Sequence, residues 1–301
     1  MRVTFFGSGG AFSRGVLEAV SQRFRVASVV VSPGRGGGPL RRVLGGALRA
    51  AGVRRDPMAD LAARVGARYH RARSRDDPAL RDLLARLRPD IILIAVYAWI
   101  LPPAVFGLAR LGALNMHTSL LPRHRGPLPL FWIYQRNDRQ SGVSAHWVTE
   151  EADAGPVLGQ VALDVPRGLS VDELYRRKTE LAGPLAVDTL AAIERGDSVA
   201  RPQDETRATA APWVAPGRSM VDPAWPAERA WHFLAGLYPR FVEPLEDEAG
   251  ARVRYRGVLG YSNEAPRSLP GSVDRERDEI RLHCPDGFVR LAPGGRGWAS
   301  R

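Results

Sequence analysis

Asn115, His117 and Asp153 are the side chains of this sequence whose types and placement suit acyl transfer. The first two close the run "LGALNMH", two residues apart. In an extended strand that spacing puts both on one face, with Met116 turned the other way into packing. An amide NH₂ can donate to the negative charge that develops on a carbonyl oxygen under attack. An imidazole titrates where it can relieve an attacking amine of its proton. Asp153 stands in "EEADAG", a turn between two apolar runs. Alone it reads as an Asx turn. Beside an Asn–His pair it is also a carboxylate able to orient the imidazole, raise its pKa and hold a proton-carrying water. No serine sits on a G-x-S-x-G elbow and the one cysteine, Cys284, lies in a later segment, so a covalent nucleophile is not expected. The histidines, His70, His117, His124, His146, His232 and His283, are scattered, with no HExxH and no CxxC, and no metal is expected.

Such a trio needs strands that end at a common edge. "MRVTFFG", "RVASVVVS" and "PDIILIAVY" read as buried strands. Between them, "AFSRGVLEAVSQRF" has helical apolar spacing at Phe12, Val16, Leu17 and Val20, and "MADLAARVGA" and "DPALRDLLARLR" read as helices. Asp76, Asp77 and Pro78 form a helix-start signature. A short helix around "PPAVFGLARL" precedes "LGALNMH". This alternation predicts an α/β fold with a doubly wound, mostly parallel sheet, whose ligands bind beyond the C-terminal ends of the strands. Three loops leave those ends: "GSGGAF", "VYAWILP" and the stretch after His117. The first is a partial glycine fingerprint, with Phe12 in place of a third glycine and no acidic residue ending the second strand. A nicotinamide cofactor is therefore not expected, although backbone N–H groups at that helix start could hold an anionic or carbonyl group.

Further along, "SGVSAHWVTE" and "GPVLGQVALDV" read as adjacent strands, and the helix after them carries a capping box at Ser170 and Glu173 and an end signal at Gly196. The glycine-rich basic stretch over 33–57 reads as a long loop with one helical piece. Residues 1–196 form one expected domain, 197–215 a linker of low periodicity, and 216–301 a small β-rich domain with one helix. The net charge is +11, which raises a polyanionic partner, yet Lys178 is the single lysine among 43 basic residues. That skew is as compatible with genome composition as with a nucleic-acid surface. No apolar run is long enough to span a membrane, and one cysteine fits a reducing cytoplasm.

The stretch "NMHTSLLPRHRG" resembles the N-x-H-x-S-L-L-P-x-x-[RK]-G signature of the folate-dependent formyltransferases, and "EEADAG" resembles the second signature of that family. The spacing of 36 residues from His117 to Asp153 and the run "PDIILIAVYAWILPPAVFGLARLGALN" resemble it too. The resemblance implies a Rossmann-like formyltransferase fold, 10-formyltetrahydrofolate as donor and a primary amine as acceptor, with no metal. It implies that Asn115 helps bind the formyl oxygen, that His117 stabilises the oxyanion or relays the proton, and that Asp153 holds His117 and a water. It further implies a pterin pocket from Trp99, Ile100 and Leu101 with Val148, Glu150 and Glu151, and a wall from Ser119, Leu120, Leu121 and Pro122. Gly7, Ser8, Gly9, Gly10, Ala11 and Arg125 would face the acceptor.

The C-terminal segment resembles the OB-like domain of the methionyl-tRNA formyltransferase branch, a fold able to bind nucleic acid. Sugar formyltransferases carry related domains, so two acceptors stand: methionyl initiator tRNA, and a small amine such as a nucleotide-linked amino sugar or a biosynthetic amino acid. The sequence departs from the tRNA branch at "GSGGAF" and "RGPLPLFW". There Phe131 and Trp132 could stack on a base or sugar, or pack as helix core. A hydrolase of the same donor and a non-catalytic folate- or RNA-binding relative are the other readings. No oligomeric state is indicated.

Overall fold

A computed structural model of the chain describes residues 1–32, 56–215, 217, 219–247, 249–276 and 278–294. Most of the basic stretch over 33–57 lies outside these residues. The described chain falls into two compact units. The first comprises residues 1–126, 142–163 and 176–210, and the second 127–141, 164–175 and 211–301. Residues 197–210 therefore group with the first unit and 211–215 with the second. Among the described residues, no helix is long and apolar enough to cross a membrane.

The elements in chain order are β1 (Arg2–Gly7), α1 (Ala11–Ser21), β2 (Arg25–Val31), α2 (Pro57–Arg64), β3 (Arg68–Arg71), α3 (Pro78–Leu87), β4 (Ile91–Ala95), α4 (Pro103–Phe106), β5 (Ala113–His117), α5 (Pro129–Gln135), β6 (Gln140–Trp147), β7 (Val157–Asp164) and α6 (Val171–Arg195). A seven-stranded sheet of order β3-β2-β1-β4-β5-β6-β7 results. Strands β3 through β5 pair in parallel, and β6 runs antiparallel to β5. Every residue of β4 is buried, as a parallel strand covered on both faces requires. Asp56 and Asp77 cap α2 and α3 through Met58 N–H and Ala79 N–H, each ahead of a proline. Polar "RYHR" pairs as an edge strand without an apolar signal of its own. Ser170 Oγ accepts from Glu173 N–H at the start of α6, and Gly196 at its end has φ +78°.

Because the order turns outward in both directions from β1 and β4, the switch point of the sheet lies between them. The loops after β1 and β4 leave neighbouring strands there. Ser13 Oγ donates to Ala95 O at 2.6 Å and accepts from Ser8 N–H at 3.2 Å, locking the first loop to the end of β4. Gly9, with φ +83°, takes the left-handed turn into α1.

The second unit contains α5, α7 (Ala227–Leu237) and six short strands: β8 (Leu245–Glu246), β9 (Arg252–Val253), β10 (Tyr255–Ser262), β11 (Val273–Arg275), β12 (Ile280–Cys284) and β13 (Gly287–Pro293). The last four form an antiparallel sheet of order β10-β13-β12-β11, and β8 and β9 form a hairpin. Phe131 of α5 is 2% exposed and meets Phe233 and Phe241 edge-on. Trp132 donates through Nε1 to Pro212 O. Phe131 thus packs as helix core, while Trp132 stays half-buried.

Gly142 sits where a Cβ would come within 2.1 Å of Val161 O and 2.6 Å of Leu120. Gly142→Ala is expected to destabilise the protein by about 2–3 kcal/mol, read as a lower urea midpoint at unchanged slope.

Candidate active site

Antiparallel pairing of β5 with β6 sets Asn115 opposite His146 and His117 opposite Ser144. All four side chains therefore share one face of the sheet, while Met116, 1% exposed, packs on the other. Asp153 reaches this face from the turn after β6. Its backbone is left-handed, at φ +56°, and Gln203 Nε2 ties its carbonyl at 2.8 Å and that of Gly155 at 2.7 Å.

The carboxylate gathers donors from several elements. Asp153 Oδ1 accepts from Asn115 Nδ2 at 3.2 Å, and Oδ2 accepts from Gly126 N–H at 2.9 Å. Oδ1 also lies 3.6 Å from His117 Nδ1 and 3.5 Å from His146 Nε2. Burial pushes the Asp153 pKa up, but His117, His146 and the Gly126 N–H outweigh it and hold the group well below the usual carboxylate range. For His117, burial comes first and depresses the imidazolium, Asp153 pulls the other way, and His146 and Lys178 add to the depression. The net direction is below an ordinary imidazole.

Two backbone carbonyls assign the ring tautomers. His117 Nε2 donates to His124 O at 2.9 Å, because a carbonyl can only accept. The lone pair of neutral His117 is then on Nδ1, the atom facing Asp153. A proton taken there lands beside a carboxylate. His146 Nδ1 donates to Trp147 O at 2.9 Å, leaving Nε2 to accept from Asn115 Nδ2 at 3.0 Å. Both hydrogens of the Asn115 amide nitrogen thus face protein acceptors. Donation to a substrate oxygen requires one of these contacts to be exchanged for it.

The loop after β5 is braced throughout. Lys178 Nζ, fully buried, donates to Thr118 O at 2.7 Å. Ser119 Oγ donates to Arg123 O, and Ser144 Oγ donates to Ser119 O and accepts from Leu121 N–H. Gln160 Nε2 donates to Leu121 O, and the Leu121–Pro122 peptide is cis. The left-handed backbone of His124, at φ +60°, belongs to the turn whose carbonyl meets His117, and Thr209 Oγ1 accepts from its N–H. Leu120 and Pro122 remain half-buried.

Trp99, Leu101 and Val148 gather on one apolar cluster with Phe6 and Ile94, in which Leu101 is itself a core member at 3% exposure. Ile100, 58% exposed, projects beside them, and Glu150 and Glu151 are exposed. Val96, a β-branched residue at φ +56°, starts this loop, and Ala98 N–H is held by Ser32 Oγ. Gly7 to Ala11 occupy the turn into α1. The Arg125 guanidinium is engaged by Glu205 at 2.7 and 2.8 Å and by Gln203 at 2.8 and 3.1 Å. Its donors hold the 203–205 segment against the site.

Sequence reading missed His146, Lys178, Gln203 and Glu205. The strand pattern of "SGVSAHWVTE" contained a signal for the first, since Ser144 and His146 repeat the period of Asn115 and His117. Gln203 and Glu205 lie in a stretch without periodicity and offered none.

Residues 1–190 match the family model described as formyl transferase. The chain is 32% identical over 296 residues to the methionyl-tRNA formyltransferase of Chlorobium luteolum, covering 97% of this chain and 90% of that one. It is 31% identical over 289 residues to the methionyl-tRNA formyltransferase of Acidobacterium capsulatum, covering 95% and 89%. In structure it resembles the N-formyltransferase of Helicobacter canadensis solved with folinic acid and dTDP-3-aminofucose. The TM-score is 0.66 and identity 13%, over 97% and 98% of the two chains.

The charge pattern sets a sign. His117 is expected to titrate below the free value of about 6.5, and Asp153→Asn to lower its pKa further by removing the neighbouring charge. Between the folded pKa and about 6.5 the unfolded chain binds more protons, so this residue makes stability rise with pH across that window. Nitrogen-15 titration of the imidazoles tests both; an upward shift in Asp153→Asn would contradict the arrangement.

Proposed function

The chain belongs to the formyl transferase family and is a formyl-transferring enzyme; from that premise we propose that it transfers the formyl group of 10-formyltetrahydrofolate to the amino group of methionyl initiator tRNA, in the cytoplasm. The observation that carries the chemistry is the convergence of Asn115, His117 and Asp153 within hydrogen-bond or ion-pair distance. Near-full-length similarity to methionyl-tRNA formyltransferases supports the acceptor. Residues 1–196 carry the reaction in this reading, and residues 216–301, read as OB-like, meet the acceptor.

His117, neutral near pH 7, takes the proton of the attacking amine on Nδ1. Asp153 then faces an imidazolium and stabilises it until the bond between the formyl carbon and the folate nitrogen breaks and the proton passes to that leaving amine. Asn115 exchanges one of its Nδ2 contacts for the formyl oxygen and donates to the charge that grows there. His146 holds the Asn115 amide in the orientation this requires. The donor supplies an activated one-carbon unit; Trp99, Ile100 and Val148 present apolar surface for its ring over the buried Leu101, with Ser119, Leu120, Leu121, Pro122, Glu150 and Glu151 around it. The shared apolar cluster and the exposed Ile100 side chain support that fit. Gly7, Ser8, Gly9, Gly10 and Ala11 face the acceptor. Arg125 borders the acceptor with them and is braced by Gln203 and Glu205.

Asp153→Asn and His117→Ala are each expected to lower kcat by at least about 100-fold while leaving the far-ultraviolet dichroism and the melting midpoint of a folded protein. Full turnover in either variant would remove the mechanism. The acceptor is tested by supplying methionyl initiator tRNA in parallel with amino sugars and amino acids. With tRNA, kcat/KM is expected to fall by roughly tenfold or more between about 50 and 200 mM salt. Turnover of a small amine alone, with a flat salt profile, would transfer the assignment to that substrate.

A further inference from the structure

Arg139, Arg167, Arg229 and His232 form a second polar cluster, contained within the C-terminal unit and separate in residue membership from the Asn115–His117–Asp153 site. They come from the turn after α5, the loop between β7 and α6, and helix α7. Arg167 is flanked electrostatically by both other guanidiniums, and His232 feels Arg167 and Arg139. The Glu228 carboxylate, 44% exposed, lies 3.8 Å from Arg167 Nε. Arg167 also donates to Asn137 Oδ1, and Arg229 donates to Gln135 O at 3.3 Å while lying 4.2 Å over the Trp225 ring. The Arg139 carbonyl accepts from Val165 N–H at 2.8 Å, and its exposed guanidinium has no hydrogen bond or ion pair among the described residues.

Donors here outnumber acceptors. Arg167 Nε and Arg229 Nε are buried without a hydrogen-bond partner, as is His232 Nε2. The histidine is the sharpest case. It is 0% exposed, and Gly168 N–H donates to its Nδ1 at 3.0 Å. Nδ1 therefore carries the lone pair, and the neutral ring carries its hydrogen on Nε2, a buried donor facing no acceptor. Burial and the flanking arginines push its pKa down to about 4, so the ring does not add a charge near neutrality. Unmatched buried donors and uncompensated guanidiniums are costly, and an oxyanion relieves both.

We propose that Arg139, Arg167, Arg229 and His232 form a binding site for a phosphate-class oxyanion in the C-terminal unit. The guanidiniums outnumber the half-exposed Glu228 that pairs with Arg167, an excess of positive charge that favours a phosphate dianion over a singly charged carboxylate. Guanidinium forks also fit phosphate oxygens in pairs. The ligand is a free phosphate, a nucleoside diphosphate or the backbone of a ribonucleotide chain, all sharing this chemistry.

The test uses the full chain without folate or amine, so its outcome is independent of the formyl-transfer reading. Inorganic phosphate, adenosine diphosphate and a short oligouridylate are titrated calorimetrically at low salt, with the His232 Nε2–H resonance followed by nitrogen-15 NMR. At least one probe is expected to bind and to shift that resonance. Arg139→Glu, at an exposed position, is expected to weaken binding about tenfold or more, and Arg139→Lys to restore part of it. The tightest probe names the source of the phosphate. Absence of binding by all three, or binding unchanged in both Arg139→Glu and Arg167→Gln, would overturn the proposal.

Discussion

A carboxylate taken out of water has to be met by donors, and nearly everything around the face shared by Asn115 and His117 can be traced to how Asp153 is met. Its two oxygens accept from the Asn115 amide and the Gly126 N–H, imidazole nitrogens of His117 and His146 lie 3.6 and 3.5 Å from Oδ1, and its own carbonyl is tied by Gln203. These groups come from β5, β6, the loop after β5 and the segment near residue 203. None of them is close to Asp153 in sequence apart from His146. With the left-handed backbone at Asp153, the arrangement amounts to a strained turn held in place by the charge at its tip. The groups around it hold its pKa well below the usual carboxylate range, so the charge is present at neutral pH.

The same logic explains why the neighbouring loops are so heavily cross-braced. An imidazole can relay a proton in a defined direction only if its tautomer is assigned, and here main-chain carbonyls make the assignment. His124 O fixes His117, and Trp147 O fixes His146. Carbonyl direction depends on backbone torsions, so the cis Leu121–Pro122 peptide, the left-handed His124 and the bonds to Ser144, Gln160, Thr209 and Lys178 all bear on the orientation of one ring. Lys178 is notable among these braces because a fully buried ammonium also discourages protonation of His117.

Arg125 is engaged within the protein itself. An arginine behind the signature loop reads as a contact for an acceptor, yet its fork is matched to Glu205 and Gln203. Its contribution is to draw the 203–205 segment in, and Gln203 then reaches Asp153. Leu101 differs in a similar way, being a member of the apolar core that Trp99 and Val148 rest on.

By itself the sequence determined the α/β alternation, the helix starts at Asp77 and Ser170, and the shared face of Asn115 and His117, because each follows from spacing within a few residues. It also contained Asp153 as one member of a trio, though not the distance. Only the tertiary structure decided that β6 pairs with β5 in the register that sets His146 beside Asn115. It likewise decided that "RYHR" is an edge strand, that Phe131 is a packing residue, and that an aperiodic stretch supplies Gln203 and Glu205. Those outcomes rest on pairings between residues far apart in the chain, where local propensity carries no information and complementary donors, acceptors and apolar surfaces choose the partner.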